Sequence, residues 1–405
     1  MLASTALVLL MNGALAFFYG GLVRTRNMLN TLAMSFASFG FVGLAWVLAG
    51  YSLSFAPGTP LTGDLRHGLL HGVGLDAHGT IPHLLFMAYQ GTFAVITAAL
   101  ISGAVVERMR FGAYLAFITL WSLVVYAPVA HWVWAPDGWL GQLGALDFAG
   151  GTVVHVNAGA AALMAAMILG PRKDYGRRAL LPHNVPFVLL GAALLWFGWF
   201  GFNAGSALGV GPAATLAFVN TMLAPMATLV VWMMLDIVRT RRVTAVGIAT
   251  GLVVGLVGIT PAAGFVSPMA AVALGALCAV PSYFALQWRA RTAVDDSLDV
   301  FSAHGVGGVV GALLTGVLAS KAWGAPADGL LYGNAGQLGV QALGVAVTFV
   351  YSAAASIALL KLVGRVLPLR VDDRDERLGL DIMQHGEEAY TRGEGAILML
   401  RTEEV

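Results

Sequence analysis

The sequence predicts an all-α polytopic membrane protein. Three observations carry that reading. Of the 405 residues, 58% are hydrophobic and 11% are charged, whereas a soluble domain is about a quarter charged. Apolar runs of spanning length recur along the whole chain. Basic residues gather in every second loop.

A spanning helix takes about 20 apolar residues. Eleven runs qualify: 2–22, 30–54, 81–103, 111–132, 149–169, 185–204, 213–236, 244–260, 268–288, 299–319 and 336–365. The eighth is short and glycine-rich. The last is long enough to tilt or to project from the bilayer. With the N-terminus outside, all of the 22 lysines and arginines except Arg66 and Lys321 fall inside. The positive-inside rule requires that asymmetry, and one missed helix would scramble it. The predicted topology is therefore eleven spans, N-out and C-in. Ala14-Leu15-Ala16 resembles a signal cleavage site. However, no basic residue precedes it and Arg24 and Arg26 follow, the reverse of a signal peptide. The first run is expected to stay as a helix.

One membrane domain, 1–366, is expected to precede a charged cytoplasmic tail, 367–405. The outside loop 55–80 holds Pro57, Pro60 and several glycines, and predicts an irregular cap. A net charge of +1 gives no reason for a nucleic-acid partner. Cys278 is the single cysteine, so no disulfide framework exists.

Five helices followed by five more would run in opposite directions, an inverted repeat, with the long eleventh helix added. The fifth run contains His155-Val-Asn-Ala-Gly159, and the tenth contains His304-Gly-Val-Gly-Gly308. Each histidine has a glycine four residues later, on the same helix face. A two-fold axis in the membrane plane would bring the histidines together near the midplane. Ionisable groups in a bilayer are costly and usually functional; a lone histidine, by contrast, is often a satisfied polar group between helices. Two facing neutral imidazoles can fix each other's tautomer and handle a small polar molecule or a proton. Zinc would need further ligands that the neighbourhood lacks. His67, His71, His78 and His83 are irregularly spaced, so no metal site is expected there.

Aromatics gather at the outer ends of three runs: Tyr89 and Phe93, His131-Trp-Val-Trp134, and Trp199-Phe-Gly-Phe202-Asn-Ala-Gly-Ser206. Such rings commonly form an interfacial belt. Converging with a serine, they would instead attract an ammonium-type cation. Asp299 is predicted to cap the tenth helix and Asp147 to order the start of the fifth.

These residues sit in longer motifs: Ala-Phe-Phe-Tyr-Gly-Gly-Leu-Val-Arg (16–24), Asp-Phe-Ala-Gly-Gly-Thr-Val-Val-His (147–155), 199–206, Asp295-Asp296 with Asp299-Val-Phe and His304-Gly, and His385-Gly-Glu-Glu-Ala-Tyr390. Together the chain resembles the Amt/Mep/Rh ammonium transporters over nearly its whole length, and Trp134 favours the Amt branch. Asn12-Gly13-Ala14 departs from the usual Pro-Gly. The resemblance implies a homotrimer in the cell membrane with a pore through each subunit. It makes His155 and His304 the twin pore histidines and Phe93 and Phe202 the gate. Trp134, Phe93 and Ser206 become the recruitment site for ammonium, supported by Asp147. Trp199 becomes a pore-lining residue, with Tyr126 and Asn203 grouped with it as lining or support. It further implies a regulatory tail and a PII-type signalling partner, with no cofactor. Two rival readings are an ammonium sensor and a channel for another neutral gas such as carbon dioxide. An enzyme reading finds no activated nucleophile.

Overall fold

The computed structural model describes residues 1–390. The predicted tail is therefore seen as far as Tyr390; Arg392 and Arg401 lie outside the described residues. Eleven main helices occur among the described residues: Leu2–Leu22, Thr25–Phe55, His83–Val105, Phe111–Gln142, Gly151–Leu169, Val185–Gly205, Pro212–Thr240, Ala245–Ile259, Pro268–Arg289, Phe301–Leu318 and Ala335–Val366. Ten of them are long and apolar enough to cross a membrane. Ten of the eleven match the predicted runs to within about five residues, because a lipid-exposed backbone must bond to itself and only uninterrupted helix does so; the fourth reaches Trp134 and, after a break, adds the short turn Trp139–Gln142. The eighth, at 15 residues, rises only about 22 Å. It is sheltered instead: residues 251–263 are fully buried in the bundle.

The first helix lies along the sixth. Glycines make that approach possible. An added Cβ at Gly201 would fall 2.6 Å from the Leu7 side chain, and one at Gly191 would fall 2.7 Å from the Phe18 backbone. Membrane helices pack through such small residues, since lipid gives no hydrophobic drive between them. Asn12 turns inward, donating to Ser35 O at 2.7 Å and Ser38 Oγ at 3.0 Å. The unusual Asn-Gly pair thus ties the first helix to the second.

Two faces can be told apart by their loops. On one, the predicted irregular cap contains two two-residue hairpins, Gly58–Thr59 with Thr62–Gly63 and Ala77–His78 with Ile81–Pro82. His131 pins this cap: its ring nitrogens lie 3.0 Å from Ser54 O and 2.8 Å from Thr59 O. His67, His78 and His83 pack ring against ring here, and no group of metal-ligating residues forms among the described residues. On the other face, residues 369–390 run across helix ends. Asp381 accepts from the amides of Leu29 and Asn30 at 3.0 and 2.8 Å, capping the second helix. Arg370 reaches Leu169 O and Glu376. We call these the cap face and the tail face.

Beneath the tail lies a buried ion network. Glu107 pairs with Arg24 at 2.8 Å and Arg172 at 3.0 Å, and Arg172 pairs with Asp295 at 2.8 Å. Burial alone would raise the Glu107 carboxyl, but the Arg172 and Arg24 guanidiniums outweigh it and hold it below the usual glutamate range.

Candidate functional site

The two histidine helices start alike. Asp147 accepts hydrogen bonds from the amides of Gly150, Gly151, Thr152 and Val153 at 2.6–3.0 Å. Asp296 accepts from those of Val300 and Phe301 at 3.1 and 2.7 Å. Each carboxylate thus satisfies free N–H groups of a first turn, eight residues ahead of a histidine. The cap of the tenth helix is therefore Asp296, not the expected Asp299. Asp299 has a left-handed φ of 60°, and its carboxylate pairs with Arg289 at 2.6 Å. The sequence Asp295-Asp296-x-x-Asp299 offers several candidate caps, and only the turn geometry selects one.

Both helices open with a wide π turn, Gly151–Val156 and Phe301–Val306, with the histidine inside it. The helices then cross through glycine. An added Cβ at Gly159 would fall 2.5 Å from Gly305 N, and one at Gly308 would fall 2.9 Å from Gly151 O. The expected pairing follows directly. His155 Nδ1 and His304 Nδ1 lie 3.1 Å apart, with the rings nearly parallel at 21°. Both side chains are buried.

Around them runs an apolar lumen. Its wall includes Leu15, Phe18, Ile96, Trp199, Phe202 and Val253. The space open to the centre of a water-sized sphere is about 10 Å³, room for one small molecule. Toward the cap face the lumen ends at Phe93 and Phe202, stacked 4.1 Å apart. Trp199 lies over His155 at 5.5 Å, held by a 2.9 Å bond from its Nε1 to Thr260 Oγ1.

Beyond the stack, Trp134 stands perpendicular to Phe93, with ring centres 6.0 Å apart. Its Nε1 donates to Asp147 O at 2.9 Å, which fixes the ring and leaves its face free. The Ser206 hydroxyl donates to Phe202 O at 2.9 Å, so its lone pairs remain available. Tyr89 Oη, bonded to Phe202 O at 2.8 Å, completes this wall. Tyr126 and Asn203 stand behind the lumen. Tyr126 packs on Trp46, and Asn203 donates to Thr221 Oγ1 on the seventh helix at 2.9 Å.

Toward the tail face, His304 also borders a vestibule of about 400 Å³, whose wall includes Trp232, Asp236, Tyr283, Arg289 and Asp299. Sequence reasoning did not single out Phe18, Val253, Thr260 or this vestibule. Apolar wall residues look like any other buried residue until the helices are assembled.

A bundle of apolar helices around a narrow central lumen defines a multi-pass membrane transport protein. Residues 1–390 match the Ammonium Transporter Family. An ammonium transporter of Bacillus subtilis is 47% identical over 389 residues, covering 95% of this chain and 96% of that protein. The crystal structure of Saccharomyces cerevisiae Mep2 superposes with a TM-score of 0.88 at 35% identity, covering 98% of this chain and 91% of that one. A structure described as a sensor Amt protein superposes at 0.87 with 31% identity, covering 95% and 96%. The chain belongs to the ammonium transporter family, whose members are transporters and not enzymes.

Proposed function

We propose that ammonium is captured on the cap face by Trp134, Phe93 and Ser206, gives a proton to cap-face water at the phenylalanine stack, and passes His155 and His304 as ammonia. The observation that carries this is the 3.1 Å Nδ1–Nδ1 contact inside a lumen with room for one small molecule. Moving a bare cation into such a medium costs on the order of tens of kcal/mol, and a neutral amine far less. Potassium is excluded because it has no proton to leave behind.

The Nδ1–Nδ1 contact also assigns roles. One Nδ1 must donate and the other accept, so the two rings carry opposite tautomers. One Nε2 is then an acceptor and the other a donor. His155 Nε2 is buried with no protein partner. Ammonia, which both donates and accepts, matches this pair. Charging both rings would set like charges in contact.

In this reading the cap face is outside and the tail face cytoplasmic, residues 1–366 form the transport domain, and the tail is regulatory. The assembly is a homotrimer in the cell membrane, with a PII-type protein docking at the tail face. A second reading, ammonium sensing, draws on the docking of residues 369–390 across the helix ends. Proteoliposomes under an ammonium gradient decide between them. Transport gives flux in the wild type and lost ammonium selectivity when both histidines are replaced. Ammonium binding with no flux supports the sensor. Current that scales with flux shows that the proton crosses too; flux without current shows that it does not.

A further inference from the structure

On the tail face, one carboxylate differs from the other buried acids. Glu107, Asp295 and Glu376 are each paired with arginine, and Asp147 and Asp296 are taken up by backbone amides. Asp236, only 7% exposed, has no lysine or arginine nitrogen within 4.0 Å among the described residues. It accepts from Tyr283 Oη at 3.1 Å, and from Thr244 N and Oγ1 at 3.3 Å each. These are neutral donors, so no guanidinium or ammonium group is in direct contact with it.

Asp236 also faces open space. It lines the vestibule that begins at His304, together with Trp232, Tyr283, Thr244, Gly247 and Gln287. Arg172, Arg178 and Arg289 also line it; Arg172 is taken up by Glu107 and Asp295, and Arg289 by Asp299. Trp232 and Tyr283 make an aromatic corner, with ring centres 5.1 Å apart at 76°. Gly247 keeps the carboxylate accessible: an added Cβ there would fall 2.7 Å from Asp236 Oδ2 and 3.2 Å from Trp232 Nε1. A buried anion beside two aromatic rings attracts a small cation, and more strongly when water is scarce.

The repeat expected from the sequence points to the same wall. In a 5+5 repeat the ninth helix corresponds to the fourth. Trp134 follows Pro128 by six residues on the fourth helix, and Gln287 follows Pro281 by six on the ninth, with Tyr283 between them. The vestibule wall is thus the tail-face counterpart of the wall that holds Trp134.

We propose that Asp236, with Trp232 and Tyr283, forms a second ammonium site on the tail face, where ammonia leaving His304 takes a proton from vestibule water and is held as the ion, and from which reverse transport begins. The inference rests on the transport reading above.

Sided flux tests it. Initial rates of methylammonium entry are measured with the full chain in right-side-out and in inverted membrane vesicles. The readout is the ratio of half-saturation at the tail face to that at the cap face. D236N is expected to raise this ratio about tenfold, the scale of one hydrogen bond to a charged group. Asp236 also braces Thr244 at the start of the eighth helix, so D236N can fail to fold. W232F leaves the carboxylate and the brace in place and is expected to raise the ratio about two- to threefold. An unchanged ratio in W232F, or in folded D236N, overturns the second site. Wild-type vesicles with no entry from either face would instead overturn the transport reading itself.

Discussion

Gly159 offers the sharpest test of how the histidines are held together. A methyl group at this position would lie 2.5 Å from the backbone nitrogen of Gly305, where ordinary contact begins at 3.4 Å. No flexible side chain can yield, because the obstacle is the main chain one residue past His304. In G159A the two helices must therefore separate by about 1 Å. That shift is enough to stretch the 3.1 Å histidine contact past hydrogen-bonding range. Overpacking of this kind costs about 1–3 kcal/mol. G43A is the matched control, since nothing lies within 4 Å of a Cβ there and alanine suits a helix better than glycine. Both variants are compared with wild type in detergent by thermal unfolding and in proteoliposomes by ammonium flux. G159A should unfold at a lower temperature and lose most flux, while G43A matches or exceeds wild-type stability. A G159A variant with wild-type flux and unfolding temperature would refute the close crossing as the feature that sets the histidine pair.

Three further outcomes are expected. E107Q removes the carboxylate that Arg24 and Arg172 share, while Arg172 keeps Asp295 and Arg24 keeps Asp174, and should cost about 1–3 kcal/mol in thermal or denaturant unfolding. The Glu107 carboxyl is depressed in the folded state. Its contribution is therefore fully present above the ordinary glutamate value and is lost as pH falls through the lower folded value. Wild type should lose stability below about pH 4.5 more steeply than E107Q, and parallel pH profiles would count against the pairing. D147N leaves the amides that start the fifth helix facing a weaker acceptor. It should destabilise by about 1–3 kcal/mol, with flux reduced because the turn that this carboxylate holds also presents the main-chain oxygen accepting from Trp134 Nε1. D381A removes the cap on the second helix, worth about 0.5–2 kcal/mol. Hydrogen exchange should accelerate at residues 380–390, and unchanged exchange there would show that the tail is held by other contacts.

Much of this protein was legible in its sequence because a membrane restricts the choices. Apolar runs in lipid can only be helices, so even the short run expected at 244–260 was located, at Ala245–Ile259. The histidines stood out for a related reason: a titratable group in an apolar run is costly and calls for an explanation. Their partnership was readable through the two Gly-at-four patterns, Gly159 and Gly308. The capping of the tenth helix was not. Asp295, Asp296 and Asp299 are chemically equivalent in sequence, and their roles as arginine partner, amide cap and Arg289 partner depend on where each carboxylate points.

What the sequence determined alone was therefore helical and linear: which segments span, which residues are anomalous, and which motifs match a family. The tertiary structure decided everything that depends on distance between segments remote in the chain. It brought His155 to within 3.1 Å of His304 across 149 residues, closed the lumen with Phe93 on Phe202, and turned the Asp236 carboxylate toward a cavity beside Trp232 and Tyr283. Side-chain chemistry and local periodicity are properties of short segments and survive in a linear string. Contact, enclosure and charge balance are properties of the packed bundle, and they appear only when the glycine surfaces of distant helices meet.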